Sequence, residues 1–174
     1  MSTIVSGNSG GTALTTTSVL TTQGQVLQVV NYQTGAVATG TTTIPTDNTV
    51  PQNTEGTEFM SLAITPRSAT STLIIQAIVN LAGNAGASSV SAALFQDSTA
   101  SALAAECFTM AGTGYLSQVS MIFKMTSGTT SSTTFKVRAG LNTAGTTTFN
   151  GNSGASVFGN VVQYSSITIT EVVP

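Results

Sequence analysis

Short segments in which apolar and polar residues alternate are the feature that most constrains the fold of this chain. Residues 133–139 read TTFKVRA, in which phenylalanine and valine alternate with Lys136 and Arg138. Residues 165–173 read SSITITEVV and alternate in the same way. In a β-strand, successive side chains point to opposite faces, so a sequence period of two puts like residues on one face. Both segments therefore predict half-buried strands, with Lys136 and Arg138 facing outward.

Similar segments recur along most of the chain and are separated by turn-forming residues. They predict further strands over residues 25–32, 58–65, 72–81, 90–96, 102–110, 116–126 and 146–149, and one broken strand over 157–164. The alanine-rich start of 102–110 favours helix, but its neighbours favour a returning strand, which we predict. About nine strands with turns every 8 to 12 residues are typical of all-β folds. We therefore predict a jelly-roll-like antiparallel β-sandwich.

The last strand mixes apolar residues with hydroxyls and one acid. We expect Ile167, Ile169 and Val172 to lie on one side, opposite the hydroxyls and Glu171. Serine and threonine make up about 31% of the chain, whereas only 6% of the residues are charged. Threonine is β-branched and suits a pleated, half-buried surface. The composition therefore indicates a folded protein whose surface carries hydroxyls and amides instead of charges.

The same composition excludes several kinds of chemistry. There is no histidine, so histidine cannot serve as a base or a metal ligand. A single cysteine, Cys107, can form neither an internal disulfide nor a cysteine-based zinc site. The four basic residues, Arg67, Lys124, Lys136 and Arg138, are too scattered to neutralise several phosphates or bind a membrane. We predict no catalytic residue, no cofactor, no metal ligand and no nucleic-acid or membrane partner, and hence no enzyme.

Several residues that could carry chemistry have simpler interpretations. We expect Cys107 to be a buried small side chain, because no basic residue nearby in sequence would stabilise a thiolate. Phenylalanines 95, 108, 123, 135, 149 and 158 are expected in the core. Tyr32, Tyr115 and Tyr164 could line a sugar-binding face, although tyrosines are also common in strands without a ligand. Glu55 and Glu58 are expected to be solvated.

The first 24 residues differ in composition from the rest of the chain. They carry no charge and few large side chains, so they could not build a core alone. They are either a floppy terminus or an extended arm that orders against a neighbouring subunit through Leu14, Val19 and Leu20. We predict an arm over residues 1–24 and a single β-sandwich body over 25–174.

The few charged side chains are candidates for assembly contacts. Arg67 follows a predicted strand, and Lys136 and Arg138 share one face of another. They could pair with Glu58, Glu106 and Glu171 within or between subunits, where such pairs fix register and partner choice. Ordinary surface charge is the alternative. The chain shows no signal peptide, no long apolar segment and no glycosylation sequon, which fits synthesis in a cytoplasm.

Residues 56–173, about two-thirds of the chain, resemble small β-rich bacteriophage virion structural proteins of the capsid decoration (cement) or tail-fibre type. The segments that carry the resemblance are Ile64–Ile75, Ala93–Ser98, Gly128–Thr130, Thr133–Gly140 and Ser165–Glu171.

The resemblance implies a homotrimer with a major capsid protein or another virion protein as its partner. The first function that it implies is a decoration protein on the exterior of the head, made in the host cytoplasm, which clamps neighbouring capsomers and stabilises the shell. The alternative is a tail-fibre or receptor-binding module that recognises host glycan through tyrosine, asparagine and threonine side chains on loops. A carbohydrate-active enzyme is a third reading, disfavoured by the missing histidine and the sparse carboxylates.

Overall fold

The computed structural model describes residues 23–86, 88–159 and 162–174. The predicted arm contacts Leu14, Val19 and Leu20 lie outside these residues. The described residues are all-β, and they contain no helix long and apolar enough to cross a membrane.

The described residues form ten strands. They are β1 (Val26–Thr34), β2 (Ala38–Gly40), β3 (Thr57–Ile64), β4 (Thr72–Gly83), β5 (Ser88–Gln96), β6 (Ala104–Met110), β7 (Leu116–Thr126), β8 (Thr133–Leu141), β9 (Thr147–Phe149) and β10 (Ser165–Val172). Most coincide within a few residues with the predicted strands, including β6, whose sequence also favoured helix. Residues 157–159 and 162–164 are not strand, so the prediction of a broken strand over 157–164 was wrong.

The strands form two antiparallel sheets. The first sheet has the order β1–β10–β4–β7. Beyond the start of β10, the short β9 pairs with the end of β4, and β2 pairs with β9. The second sheet has the order β3–β8–β5–β6. Without β2 and β9, the eight main strands pair first with last, second with seventh, third with sixth and fourth with fifth. This is one long hairpin rolled into two facing sheets, which is the jelly roll. The predicted fold class is confirmed.

The core lies between the sheets because each strand turns its apolar set inward. On β4 the inward set is Leu73, Ile75, Ala77, Val79 and Leu81, all 0 to 1% exposed. On β8 the predicted inward residues are buried, while Lys136 and Arg138 are half-buried on the opposite face. The phase of the alternation thus decides which face of each strand joins the core.

A loop over residues 41–56 covers part of the outer face of the second sheet. Ile44 is 1% exposed and packs there against Ala93 and Phe95 of β5 in a second, smaller core. The loop lies so close to β8 that a Cβ at Gly140 would sit 2.4 Å from the backbone oxygen of Thr42. Glycine at this position allows the loop to approach the sheet.

Three side chains predicted to be buried are exposed. Cys107 and Phe108 lie on β6, which is an edge strand and is exposed along most of its length. Phe158 lies in the loop before β10 and is 67% exposed. These predictions were wrong because residue type suggests burial, whereas an edge strand or a loop has too few neighbours to provide it.

Candidate assembly surface

The outer face of the first sheet is an exposed surface built from regular strands, and we call it the open face. Its side chains stand in rows across β1, β10, β4 and β7 because the strands pair in register. The rows are Val29–Thr170–Ile74–Lys124, Asn31–Thr168–Gln76–Ile122 and Gln33–Ser166–Ile78–Ser120. The open face therefore mixes β-branched apolar side chains with hydroxyls and amides.

Exposure and charge distinguish this face from an ordinary protein surface. Val29 is 55% exposed and Ile122 is 66% exposed, and Ile74 and Ile78 are half-buried between their neighbours. Lys124 is the one charged residue in these rows, all of which belong to the described part of the chain. Four strands about 4.8 Å apart and about 20 Å long give a face of about 400 Å². The near absence of charge is typical of the core of a protein interface.

The outer face of the second sheet carries the predicted contacts Lys136 and Arg138, and the structure uses both within the subunit. Their side-chain nitrogens lie 3.8 and 3.6 Å from a carboxylate oxygen of Glu58 on the neighbouring β3. Arg138 also donates hydrogen bonds to the backbone oxygens of Glu55 and Gly56, at 2.8 and 2.7 Å. These bonds attach the covering loop to the sheet, which gives Arg138 a structural role.

Arg67, the third predicted contact in the body, lies in the loop between β3 and β4. Its backbone N–H donates to Oε1 of Glu171 at 2.8 Å, whereas its side chain is exposed and forms no ion pair with a described residue. Glu171 is fully buried in phase with Ile167 and Ile169, and Val172 is in phase with Thr168 and Thr170. The prediction that put Val172 with the isoleucines and Glu171 with the hydroxyls was therefore wrong. The contact between Arg67 and Glu171 is a backbone hydrogen bond and not an ion pair, so the assembly role of Arg67 stays a prediction.

Glu171 connects three parts of the first sheet. Oε1 also accepts hydrogen bonds from the hydroxyl of Ser71 at 2.5 Å and the backbone N–H of Ser68 at 3.3 Å. Oε2 accepts from the side-chain amide of Gln28 on β1 at 2.6 Å. Burial raises the pKa of this carboxyl, but the hydrogen bonds lower it by more, so its pKa lies below the usual 4.5. The hydrogen bonds thus compensate for burying an acid without a cation.

Asp97, which is exposed directly after β5, accepts hydrogen bonds in a similar way at the second sheet. It accepts hydrogen bonds from the hydroxyl of Thr133 and the backbone N–H of Thr134, both at 2.7 Å. Glu171 and Asp97 both belong to the segments that carry the sequence resemblance, and both bind another of those segments. The resembling residues therefore fix loops to strand ends at one end of the sandwich. Sequence reasoning missed this, because a carboxylate that caps backbone N–H groups leaves no spacing signal.

Two other features could hold a ligand. A cleft of about 300 Å³ lies between the covering loop and β6, lined among others by Ile44, Asp47, Pro51 and Cys107. The hydroxyl and backbone N–H of Thr49 lower the pKa of Asp47. Among the described residues, no three histidines, cysteines or acids come together as a metal site would require.

The tyrosines are the second feature. Tyr115 immediately precedes β7, Tyr164 immediately precedes β10, and Tyr32 is near the end of β1. Because these strand ends lie side by side, all three residues belong to one end of the first sheet. They are 53, 42 and 41% exposed, respectively.

Comparison with known proteins adds only distant matches. No protein-family model matches the chain, and no curated protein matches its sequence. A chain from the structure of infectious bursal disease virus Gx strain is similar over 96% of this chain and 47% of its own length, with 7% identity and a TM-score of 0.41. The VP2 subviral particle of the same virus gives 10% identity, 86 and 39% coverage, and a TM-score of 0.34.

A third match is dimeric latent PorU from Porphyromonas gingivalis, with 10% identity and a TM-score of 0.35. It covers 87% of this chain and 14% of PorU. The chain spans less than half the length of each of these proteins. The jelly-roll assignment therefore rests on the strand order alone.

Proposed function

We propose that this protein is a non-catalytic structural component of a virus particle, a decoration protein that binds the outside of an assembled shell and stabilises it. The observation that carries the proposal is the open face, which is exposed, formed by regular strands and nearly uncharged. The sequence resemblance to bacteriophage virion proteins supports the same role. Jelly rolls occur both in virus coats and in lectins, so the fold alone does not choose between them.

The size of the open face indicates how the protein would act. A standard protein interface buries about 800 Å² on each partner, roughly twice the area of this face. One copy would therefore bind weakly, whereas an oligomer with several open faces would gain avidity on a repeating lattice. The resemblance implies a trimer, which would supply three such faces. Because the binding site exists only on the assembled shell, binding would stabilise assembly by mass action.

A pair of matched substitutions tests the open face as the shell contact. Ile122→Lys places a charge in the middle of the open face, and Ala63→Lys places one on the outer face of the second sheet. Both positions are exposed on edge strands. We expect Ile122→Lys to reduce re-binding to stripped particles at least about tenfold, since an unpaired charge at an interface core costs more than 1.4 kcal/mol.

The Ala63→Lys variant should bind as the unchanged protein does. Equal binding by both variants would exclude the open face as the contact. Antibody-gold labelling of intact particles then tests the location: label over the whole head supports decoration, and label confined to the tail contradicts it.

A receptor-binding module is the second candidate, and the three exposed tyrosines at one end of the first sheet favour it. Aromatic faces beside loop amides suit carbohydrate recognition, because the ring packs on the sugar while the hydroxyl forms hydrogen bonds. Replacing Tyr115 and Tyr164 with serine should abolish binding to host cells if this function is correct. The same pair of substitutions should leave a decoration protein bound to its shell.

The predicted arm belongs to the proposed function and has its own test. Deletion of residues 2–24 should leave a folded body, because β1 begins at Val26 and the core residues follow it. If the arm is a clasp, the deleted protein should no longer bind particles. Tight binding by the deleted protein would contradict the clasp.

A further inference from the structure

Among the described residues the short β2 and four longer strands, β1, β3, β6 and β7, lie at sheet edges, and the four longer strands differ in how their free edges are protected. Edge strands expose unpaired backbone groups, and proteins commonly block them with bulges, lysine or proline. The pairing of β1 shifts register between Val26 and Gln28, and that of β3 shifts between Glu58 and Met60. On β7 the exposed Lys124 provides protection.

The fourth of these strands, β6, has no bulge, lysine or proline, and its one charged residue is Glu106. It pairs with β5 without a register shift over all seven residues, and its sequence, AAECFTM, contains neither lysine nor proline. Within the described part of the chain, β5 is its only hydrogen-bonded neighbour. Phe108 is 44% exposed on it. The backbone N–H of Cys107 donates to the side chain of Glu106 at 3.1 Å instead of to β5, so this N–H points away from the sheet.

The open part of this edge has defined limits. The segment before β6 is already paired on its outer side: Ala102 donates to the backbone oxygen of Pro51, and Asn53 donates to that of Ala100. The covering loop thus occupies the edge up to residue 102. The remaining open strand runs from Ala104 to Met110, and Cys107 is its central residue.

We propose that the free edge of β6 pairs antiparallel with β6 of a second copy, around a two-fold axis at Cys107, so that two second sheets join into one. Cys107 then exchanges two backbone hydrogen bonds with Cys107 of the partner subunit, and its N–H gives up the contact with Glu106 to do so. On the outer face Ala105 lies opposite Thr109 of the partner subunit, and both are small. On the other face Glu106 lies opposite Phe108 of the partner subunit, so no like charges lie directly opposite each other.

This pairing is weak by itself. Seven residues of strand are about 23 Å long and bury far less than the roughly 800 Å² per partner of a standard interface. The dimer therefore depends on protein concentration. The inference is independent of the proposed virion role, because it concerns only how two copies meet.

The native thiol provides the readout. Opposed residues in a hydrogen-bonded antiparallel pair have Cα atoms about 5.5 Å apart, within the range that a disulfide spans. Diamide would oxidise the two Cys107 thiols to one disulfide and take up the two hydrogens. We expect the full-length protein at micromolar concentrations to form a covalent dimer at least about tenfold faster than chance collision of thiols allows. The collision rate comes from Cys107→Ser combined with Ala63→Cys, whose thiol is exposed on another edge strand.

Two substitutions at Thr109 separate strand pairing from other causes. Thr109→Pro removes an outward N–H without removing a bond to β5, because Thr109 has the same orientation as Cys107 two residues before it. Thr109→Val removes the same hydroxyl and keeps the N–H. We expect proline to abolish the rate advantage and valine to retain it, with both variants unfolding cooperatively. Fast dimerisation of the proline variant, or collision-limited dimerisation of the unchanged protein, would overturn the proposal.

Discussion

The outer faces of the two sheets consist of strands with the same alternating pattern, yet they differ in cover and in charge. The face of the second sheet lies partly under the loop over residues 41–56 and carries the Glu58, Lys136 and Arg138 charges. In the part of the chain that the structure describes, no loop covers the open face in this way, and its rows carry one charge, Lys124. The charges belong to the strands themselves, whereas the cover lies outside them, in a loop of proline and threonine that brings Ile44 over β5. The pattern of a strand therefore shows which residues share a face and leaves open whether that face is covered.

Truncating one large side chain on each outer face should give the largest difference between the two faces in the free energy of unfolding. Phe95→Ala removes a ring that is 1% exposed beneath Ile44, and Ile122→Ala truncates a side chain that is 66% exposed. We expect Phe95→Ala to lower the free energy of unfolding by about 3 to 5 kcal/mol and Ile122→Ala by less than about 0.5 kcal/mol. Urea denaturation measures both. Similar losses would show that the open face is covered in solution.

The next largest effect on the free energy of unfolding should come from the buried charge of Glu171. Both carboxylate oxygens of Glu171 accept hydrogen bonds. Glu171→Gln replaces one of these oxygens with an NH₂ group, which can only donate. We expect a loss of about 2 to 3 kcal/mol, because hydrogen bonds to a buried charged group are strong and their donors would be left unpaired.

The same residue predicts a pH dependence. The folded-state pKa of Glu171 is lowered, so its contribution is complete above the usual 4.5 and is lost as the pH falls through the lower folded-state value. In Glu171→Gln this part of the acid slope should vanish. An unchanged slope in urea titrations between neutral and acidic pH would assign the acid sensitivity to another group.

The exposed ion pairs on the second sheet should matter less. Glu58→Gln removes the partner of both Lys136 and Arg138, at contacts of 3.8 and 3.6 Å. Exposed pairs contribute about 0 to 1 kcal/mol, and salt screens them. We expect a loss in this range by urea denaturation that disappears at high salt. A loss as large as that of Glu171→Gln would contradict the contrast between buried and exposed charge.

The smallest effect concerns binding through the open face. With one charge on that face, raising the salt from about 50 to 500 mM should weaken binding to particles less than about threefold, because few ion pairs are available to screen. Sedimentation of particles with bound protein measures this. A steep loss would show that the second sheet, with its charged side chains, makes the contact.

Sequence reasoning predicted the strands well, because a period of two survives wherever one face is buried. It placed Lys136 and Arg138 on the correct face for this reason. It misplaced Glu171, since its charge was given more weight than its phase with Ile167 and Ile169. Strand order and the cover of the second sheet depend on long-range contacts, such as Ile44 on Phe95, that have no local signal. The open face was therefore not predicted.

The rolled hairpin also has a consequence for synthesis. Strand β1 is made first, but its partner β10 is the last of the ten strands and lies between β1 and β4. At about 5 to 20 residues per second, β1 waits on the order of ten seconds before β10 leaves the ribosome. Until then the open face lacks its central strand. If the open face is the contact that we propose, a nascent chain cannot join a particle before its body has been translated.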